Sequence, residues 1–106
     1  MGVFDKVGQA KKMFELQRKA KAIQKELRDT LIEATELDGK IRVVVTGEQK
    51  IEEIEIAPEV LTPDQKRAIE IGLKNAFAQA IARSQQIAAD KMKAIAGEMG
   101  LGLPGM

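Results

Sequence analysis

The sequence contains no cysteine, histidine, tryptophan or tyrosine. Without cysteine there are no disulfides and no thiolate nucleophiles, and the additional lack of histidine excludes the usual zinc sites and every imidazole-based mechanism. The three aromatic residues are all phenylalanine, too few for a platform that stacks the bases of a single strand. No spacing of carboxylates or lysines singles out an acid–base pair. We therefore expect no enzyme activity, no small-molecule substrate, no cofactor and no metal site.

Long hydrophobic runs are also missing. No apolar stretch approaches the roughly 18 residues that cross a bilayer, and the opening Met-Gly-Val-Phe-Asp-Lys lacks the layout of an export signal. We expect a cytoplasmic protein without a membrane partner. With 106 residues, 44% of them hydrophobic and 31% charged, the chain has the size and composition of one globular domain. We assign this domain to residues 1–99 and a flexible Gly/Leu/Pro tail to residues 100–106.

The charges are balanced overall but segregated along the chain. The net charge is +1, yet residues 1–28 hold eight bases against three acids, and residues 29–56 hold three bases against eight acids. Such an asymmetry favours one surface that binds an anionic partner. The alternative is that the basic segment is an ordinary solvated helix.

Periodicity predicts an α+β fold: a helix, a three-stranded antiparallel meander and a long second helix. The first helix is predicted over 4–28, the strands over 30–35, 41–46 and 50–56, and the second helix from Pro63 to about residue 98. Ile51 is out of phase with Ile54 and Ile56, which indicates a bulge or a fraying strand end. Thr62 and Gln65 have the spacing of a capping box at the start of the second helix.

Both helices have more apolar surface than one core can cover. In the first helix, one seam contains Met13, Leu16, Ala20, Ile23 and Leu27, and a second stripe contains Val3, Val7, Ala10 and Phe14. At about 37 Å and 55 Å, the helices also exceed the roughly 33 Å diameter of a compact domain of this size. We therefore predict an elongated homodimer with projecting helices, in which either stripe could form the interface. The candidate interface residues are Val7, Phe14, Phe77, Ile81 and Ala82.

A row of cations follows the first helix. Lys11, Arg18 and Lys25 are seven residues apart, hence nearly in line and about 10.5 Å apart along the axis. A linear cationic row on a projecting helix can follow a phosphate backbone. No side-chain set resembles a base-reading code, a helix-turn-helix or a zinc finger. The candidate DNA-binding residues are Lys11, Arg18, Lys21, Lys25 and Arg28 on the first helix, with Arg83 and Lys93 on the second.

Several segments, in this order, resemble the YbaB/EbfC family of bacterial nucleoid-associated DNA-binding proteins. They cover nearly the whole chain, and the most telling segment is Ile54-Glu-Ile-Ala-Pro58. The others are Ala10-Lys-Lys-Met-Phe-Glu-Leu-Gln17, Ala22-Ile-Gln-Lys-Glu-Leu27, Gly39, the strand 41–45, Gly47, Leu61, Asn75-Ala76, Ala80 and the tail Gly102-Leu-Pro-Gly-Met106.

The resemblance implies a tweezer-like homodimer that binds double-stranded DNA with low sequence preference. It also implies a role in nucleoid organisation and gene regulation, and hence a location at the nucleoid. The family has no crisp motif for DNA contact, so the DNA-binding residues remain those chosen by charge. The alternative function is a prefoldin-like protein-interaction module, whose projecting helices hold a partner chain.

Overall fold

The computed structural model describes the backbone of residues 3–98 and the side chains of residues 8 and 10–97. Helix α1 (Val3–Asp29) leads into three strands, β1 (Leu31–Glu36), β2 (Ile41–Thr46) and β3 (Ile51–Ile56). Two short 3-10 turns follow at Pro58–Val60 and Pro63–Gln65, before the long helix α2 (Lys66–Glu98). This order confirms the predicted helix, antiparallel meander and long helix. The predicted tail lies outside the described residues.

The three strands form one antiparallel sheet in the order β1-β2-β3. The first hairpin turn needs left-handed backbone at three successive positions, with φ of 53° at Leu37, 54° at Asp38 and 82° at Gly39. The register between β2 and β3 shifts at Val44/Val45, so that Val45 pairs with Ile51 and Val44 with Glu53. The bulge predicted from the phase of Ile51 is therefore present.

Helix α2 covers the inner face of the sheet where β1 and β2 lie. Ile32 and Ala34 of β1 and Val43 and Val45 of β2 form the buried core with Ala76 and Ala80 of the helix. The small alanines let the helix backbone approach the sheet closely, and at Gly72 a Cβ would lie 2.8 Å from Cδ1 of Ile41.

Strand β3 keeps its apolar face uncovered. Ile51 and Ile54 have the same inward phase as Val45 and Val43, their partners on β2, but they remain 61% and 50% exposed. In an α+β fold the helices are the elements that can cover this face of the sheet. Within the described residues of one chain they cover only two of the three strands, because α2 crosses over β1 and β2.

The start of α2 differs from the prediction in its capping. Thr62 precedes Pro63 as expected, but its side chain makes no capping hydrogen bond. A 3-10 turn replaces the capping box. In it, the backbone N–H of Gln65 donates a hydrogen bond of 3.0 Å to the Thr62 carbonyl oxygen.

Among the described side chains, helix α1 packs against α2 through its carboxyl-terminal part. Lys91 Nζ lies 2.8 Å from Glu26 Oε2, and Ile23 faces Ile95. Because the helices are antiparallel, about 16 residues of α1, or about 24 Å, extend past the end of α2. The chain accordingly measures 73 × 27 × 15 Å, with a radius of gyration of 20.4 Å rather than the roughly 13 Å of a compact domain. None of the described helices is both long enough and apolar enough to span a membrane.

Candidate nucleic-acid interface

The projecting helix displays the predicted cationic row. The apolar seam of α1 becomes less buried along the helix: Leu27 is buried, Ile23 is half-buried and Met13 is 62% exposed. The seam faces α2, which fixes the rotation of α1 and turns the opposite side outwards. The side of α1 that carries the row is therefore exposed to solvent.

All five cations predicted on α1 are exposed, namely Lys11, Arg18, Lys21, Lys25 and Arg28. Arg28 lies at the end of the helix, where its Nε is 3.9 Å from Asp29 Oδ1. The other four have no acidic partner among the described side chains. Their charge is consequently available to an anion in solution, and the row is continuous over four turns of the helix.

An aromatic side chain lies within this row. Phe14 is three residues after Lys11 and four before Arg18, the spacing of neighbours on one face of a helix. It lines one shallow hollow with Ala10, Lys11, Glu15 and Arg18, and a second with Gln17, Arg18 and Lys21. The sequence prediction treated Phe14 as an interface residue separate from the cations, whereas the structure places them together. The spacing itself was the signal that could have revealed this.

The two cations predicted on α2 lie away from the row. Arg83 is exposed, but its Nη1 donates a hydrogen bond of 2.8 Å to the Glu33 carbonyl oxygen at the outer edge of β1. Lys93 is exposed and has no acidic partner among the described side chains. Arg83 therefore has a structural contact in addition to any role in binding, whereas the charge of Lys93 is available to an anionic partner.

The predicted interface residues on α2 lie in different environments. Phe77 is half-buried beside the core, and Ile81 follows it by one turn at the border of the covered area. Ala82 is exposed on another side of α2, and the side chain of Val7 lies outside the described residues. The sequence analysis did not single out Ile51 and Ile54 as exposed apolar residues, because the phase of a strand residue does not report whether another element covers it.

The outer face of the sheet is acidic. Arg42 is surrounded by three carboxylates: its Nε donates to Glu33 at 2.7 Å, and its Nη1 donates to Glu53 at 3.1 Å and to Glu55 at 3.4 Å. The hydrogen bonds to Glu33 and Glu53 raise the pKa of the Arg42 guanidinium above its ordinary value. One cation among three acids leaves a negative surface, which repels a polyanion from this face and favours α1 as the binding element.

In the part of the chain that the structure describes, no group of acidic side chains is arranged to hold a metal ion. The described residues separate the charges, with exposed cations on the projecting helix and acids on the outer face of the sheet.

The model of the YbaB/EbfC DNA-binding family matches residues 3–99. A nucleoid-associated protein of Ruminiclostridium cellulolyticum is 37% identical over 98 residues, which are 92% of this chain and 82% of the relative. One of Bradyrhizobium is 32% identical over 97 residues, covering 92% of each chain. The crystal structure of an uncharacterised protein from Helicobacter pylori shares the fold with a TM-score of 0.69 at 19% identity, covering 96% of this chain and 100% of that one. This family is one of DNA-binding proteins rather than of enzymes, and the chain belongs to the YbaB/EbfC DNA-binding family.

Proposed function

We propose that this protein binds double-stranded DNA with low sequence specificity, as a homodimer, through the cationic row of α1. It acts at the nucleoid, in the cytoplasm, where it organises DNA and regulates gene expression. The observation that carries the proposal is the exposed row Lys11, Arg18 and Lys25 on a helix that extends past the end of α2. Lysine and arginine that meet phosphates release condensed counterions, which supplies affinity without reading sequence.

Low specificity is supported by the composition of the row. Two of its three members are lysines, which contact phosphates as point charges, and phosphate contacts carry no direct sequence information. Lys21 and Arg28 widen the row, while Lys93 and Arg83 on α2 would add secondary phosphate contacts. The acidic face around Arg42 would point away from the DNA.

The homodimer is supported by the uncovered face of β3. Ile51 and Ile54 expose aliphatic surface on β3, and the chain is only 15 Å thick in its thinnest dimension. A second copy packed there would provide the apolar cover that α2 provides for β1 and β2. It would also double the row, giving six cations along two projecting helices.

The test is charge reversal of the row in the full chain. The variant K11E/R18E/K25E should keep the fold, because the three side chains are exposed and lack acidic partners among the described residues. Binding to a random duplex, measured by fluorescence anisotropy between about 50 mM and 200 mM salt, should collapse. If the dimer makes six contacts through these residues, the slope of log affinity against log salt should fall by about five units.

The matched control is K40E/K50E/K74E, which changes the net charge equally at three exposed lysines that do not belong to α1. It should bind DNA much more tightly than the row variant. Equal losses in the two variants would mean that only net charge matters, and wild-type affinity in the folded row variant would exclude this face.

Unrelated duplexes of equal length should compete almost equally for the wild-type protein. A thousandfold preference for one site would contradict the low specificity.

The exposure of Met13 and Phe14 favours a second candidate function, a prefoldin-like module whose projecting helix holds a partner protein. Apolar capture of a protein depends weakly on salt, whereas phosphate binding depends on it steeply. Duplex binding that is absent at low salt, together with salt-insensitive binding of unfolded protein, would favour this alternative.

A further inference from the structure

Phe14 is the residue whose placement the phosphate contacts leave unexplained. Its side chain is 64% exposed, and it lies in the part of α1 that α2 does not reach. Phe77, by contrast, is half-buried against the core. A large aromatic side chain that is held in solvent gains the most when a partner removes it from water.

The partner must suit the charges around the ring. Lys11 precedes Phe14 by one turn, Arg18 follows by one turn, and Lys21 borders the next hollow, against the single acid Glu15. A second copy that buried this face would have to desolvate three cations and supply acids for them. Duplex DNA offers phosphates to the cations and stacked base pairs to the ring, so the charge pattern favours DNA.

We propose that Phe14 inserts as an apolar wedge between two base pairs when α1 lies on DNA, which unstacks that step and unwinds the duplex. This inference rests on the proposed DNA-binding function. Apolar side chains that enter the minor groove in this way part the base pairs and kink the helix axis. Lys11 and Arg18 are about 10.5 Å apart along the helix, more than the roughly 6 Å width of the minor groove. They would reach the phosphates on its two sides while the ring between them faces the bases.

Insertion would give α1 a function that phosphate contacts cannot supply. A protein that only neutralises phosphates leaves the twist of the duplex nearly unchanged, whereas a wedge lowers it at each bound site. Flexible pyrimidine–purine steps open most easily, so the wedge would also produce a mild preference for sequences that contain them.

The experiment compares F14A with F14L and with M13A. Met13 is a matched control because it is exposed to nearly the same extent and lies one residue away, on the seam side of the helix. Relaxed closed circular DNA is saturated with each full-length protein, treated with topoisomerase I, and stripped of protein for gel analysis. Affinity for a linear duplex and molar mass by light scattering are measured in parallel.

We expect the wild-type protein, M13A and F14L to lower the linking number, since leucine also serves as a wedge. F14A should still bind, with affinity reduced by about tenfold, and should lose most of the change in linking number at equal saturation. Light scattering should report the same oligomeric state for all four proteins.

Four results would overturn the proposal. A wild-type change in linking number that F14A retains would show that the ring does not enter the stack. A lower molar mass for F14A alone would assign Phe14 to a protein interface. Duplex binding that is tight and salt-dependent in the wild type, but leaves the linking number unchanged, would eliminate the wedge and leave the proposed function standing, whereas absence of duplex binding would eliminate both.

Discussion

Gly47 joins the turn between β2 and β3 to the end of α1. Its amide donates hydrogen bonds to the carbonyl oxygens of Leu27, at 2.8 Å, and Thr30, at 3.0 Å. A Cβ at this position would lie 2.7 Å from the Leu27 carbonyl oxygen and 3.0 Å from its Cα. These are backbone atoms that cannot move aside like the end of a side chain, so the residue fixes where the helix meets the sheet.

We expect G47A to lower the free energy of unfolding by about 1–3 kcal/mol, the usual cost of overpacking. The matched control is G8A, because a Cβ at Gly8 meets nothing within 4 Å and alanine favours the helix. Urea denaturation at one fixed protein concentration measures both. Equal stability of G47A and the wild type would show that the turn and the helix separate easily.

Glu70, near the start of α2, makes a contribution to the stability of the folded protein that depends on pH. A hydrogen bond from Lys66, with Nζ 2.8 Å from Oε2, holds the pKa of the Glu70 carboxyl below its ordinary value of 4.5. A carboxyl whose pKa is lowered by folding stabilises the protein above its unfolded pKa, and this contribution disappears as the pH falls through the folded value.

Wild type should therefore be more stable than E70Q near neutral pH, and the difference should shrink in acid below about pH 4.5. K66Q should remove most of this pH dependence, because Lys66 is its main cause. Urea denaturation of the three proteins across this range is the measurement, and a difference between wild type and E70Q that grows in acid would contradict the assignment.

At the scale of elements, α1 is divided into two parts with different environments. Residues 19–27 pack on α2 around Ile95, and Glu26 forms an ion pair with Lys91. The preceding part carries Lys11 and Arg18 and lies beyond this contact. Isolated helical turns are marginally stable in water, so helix–coil opening should be easier in the projecting part.

Hydrogen–deuterium exchange should therefore be faster in residues 3–18 than in residues 19–29. Duplex DNA should slow exchange in the projecting part most strongly, because the row and Phe14 lie mainly there. Peptides from β1 and β2 serve as the internal control and should change little. Protection confined to the sheet on addition of DNA would place the binding surface elsewhere.

At the scale of the whole molecule, the dimensions and the uncovered strand lead to one expectation. A chain 73 Å long with a radius of gyration of 20.4 Å buries less of its surface than a compact domain of the same length. Ile51 and Ile54 present exposed apolar surface. Its burial by a second copy would compensate for the smaller area that the single chain buries. Light scattering after size exclusion should therefore report about twice the chain mass of 11.6 kDa.

The variant I51E/I54E should shift this mass towards the monomer, because carboxylates in an apolar interface lose their hydration. The matched control is L31E, since Leu31 is as exposed as Ile51 but belongs to the opposite face of the sheet. L31E should remain a dimer. A dimeric I51E/I54E protein would place the interface away from β3.

The order and type of the elements, the bulge at Ile51 and the row on α1 were all predictable from the sequence. Each depends on periodicity within one segment or on short connections, which neighbouring residues determine. The projection of α1 also followed from its length. The prediction of a capping box at Thr62 was wrong, because the chain enters α2 through a 3-10 turn.

The tertiary structure decided which apolar residues are covered. Close contact of Gly72, Ala76 and Ala80 with the sheet sets where α2 crosses it, and this leaves Ile51 and Ile54 exposed although they share the phase of buried neighbours. The contact of α1 with α2 likewise fixes which side of α1 faces solvent, so that Phe14 and the cations next to it on the helix are exposed together. Coverage depends on the distances between elements, whereas the periodicity of one segment reports only which residues share a face.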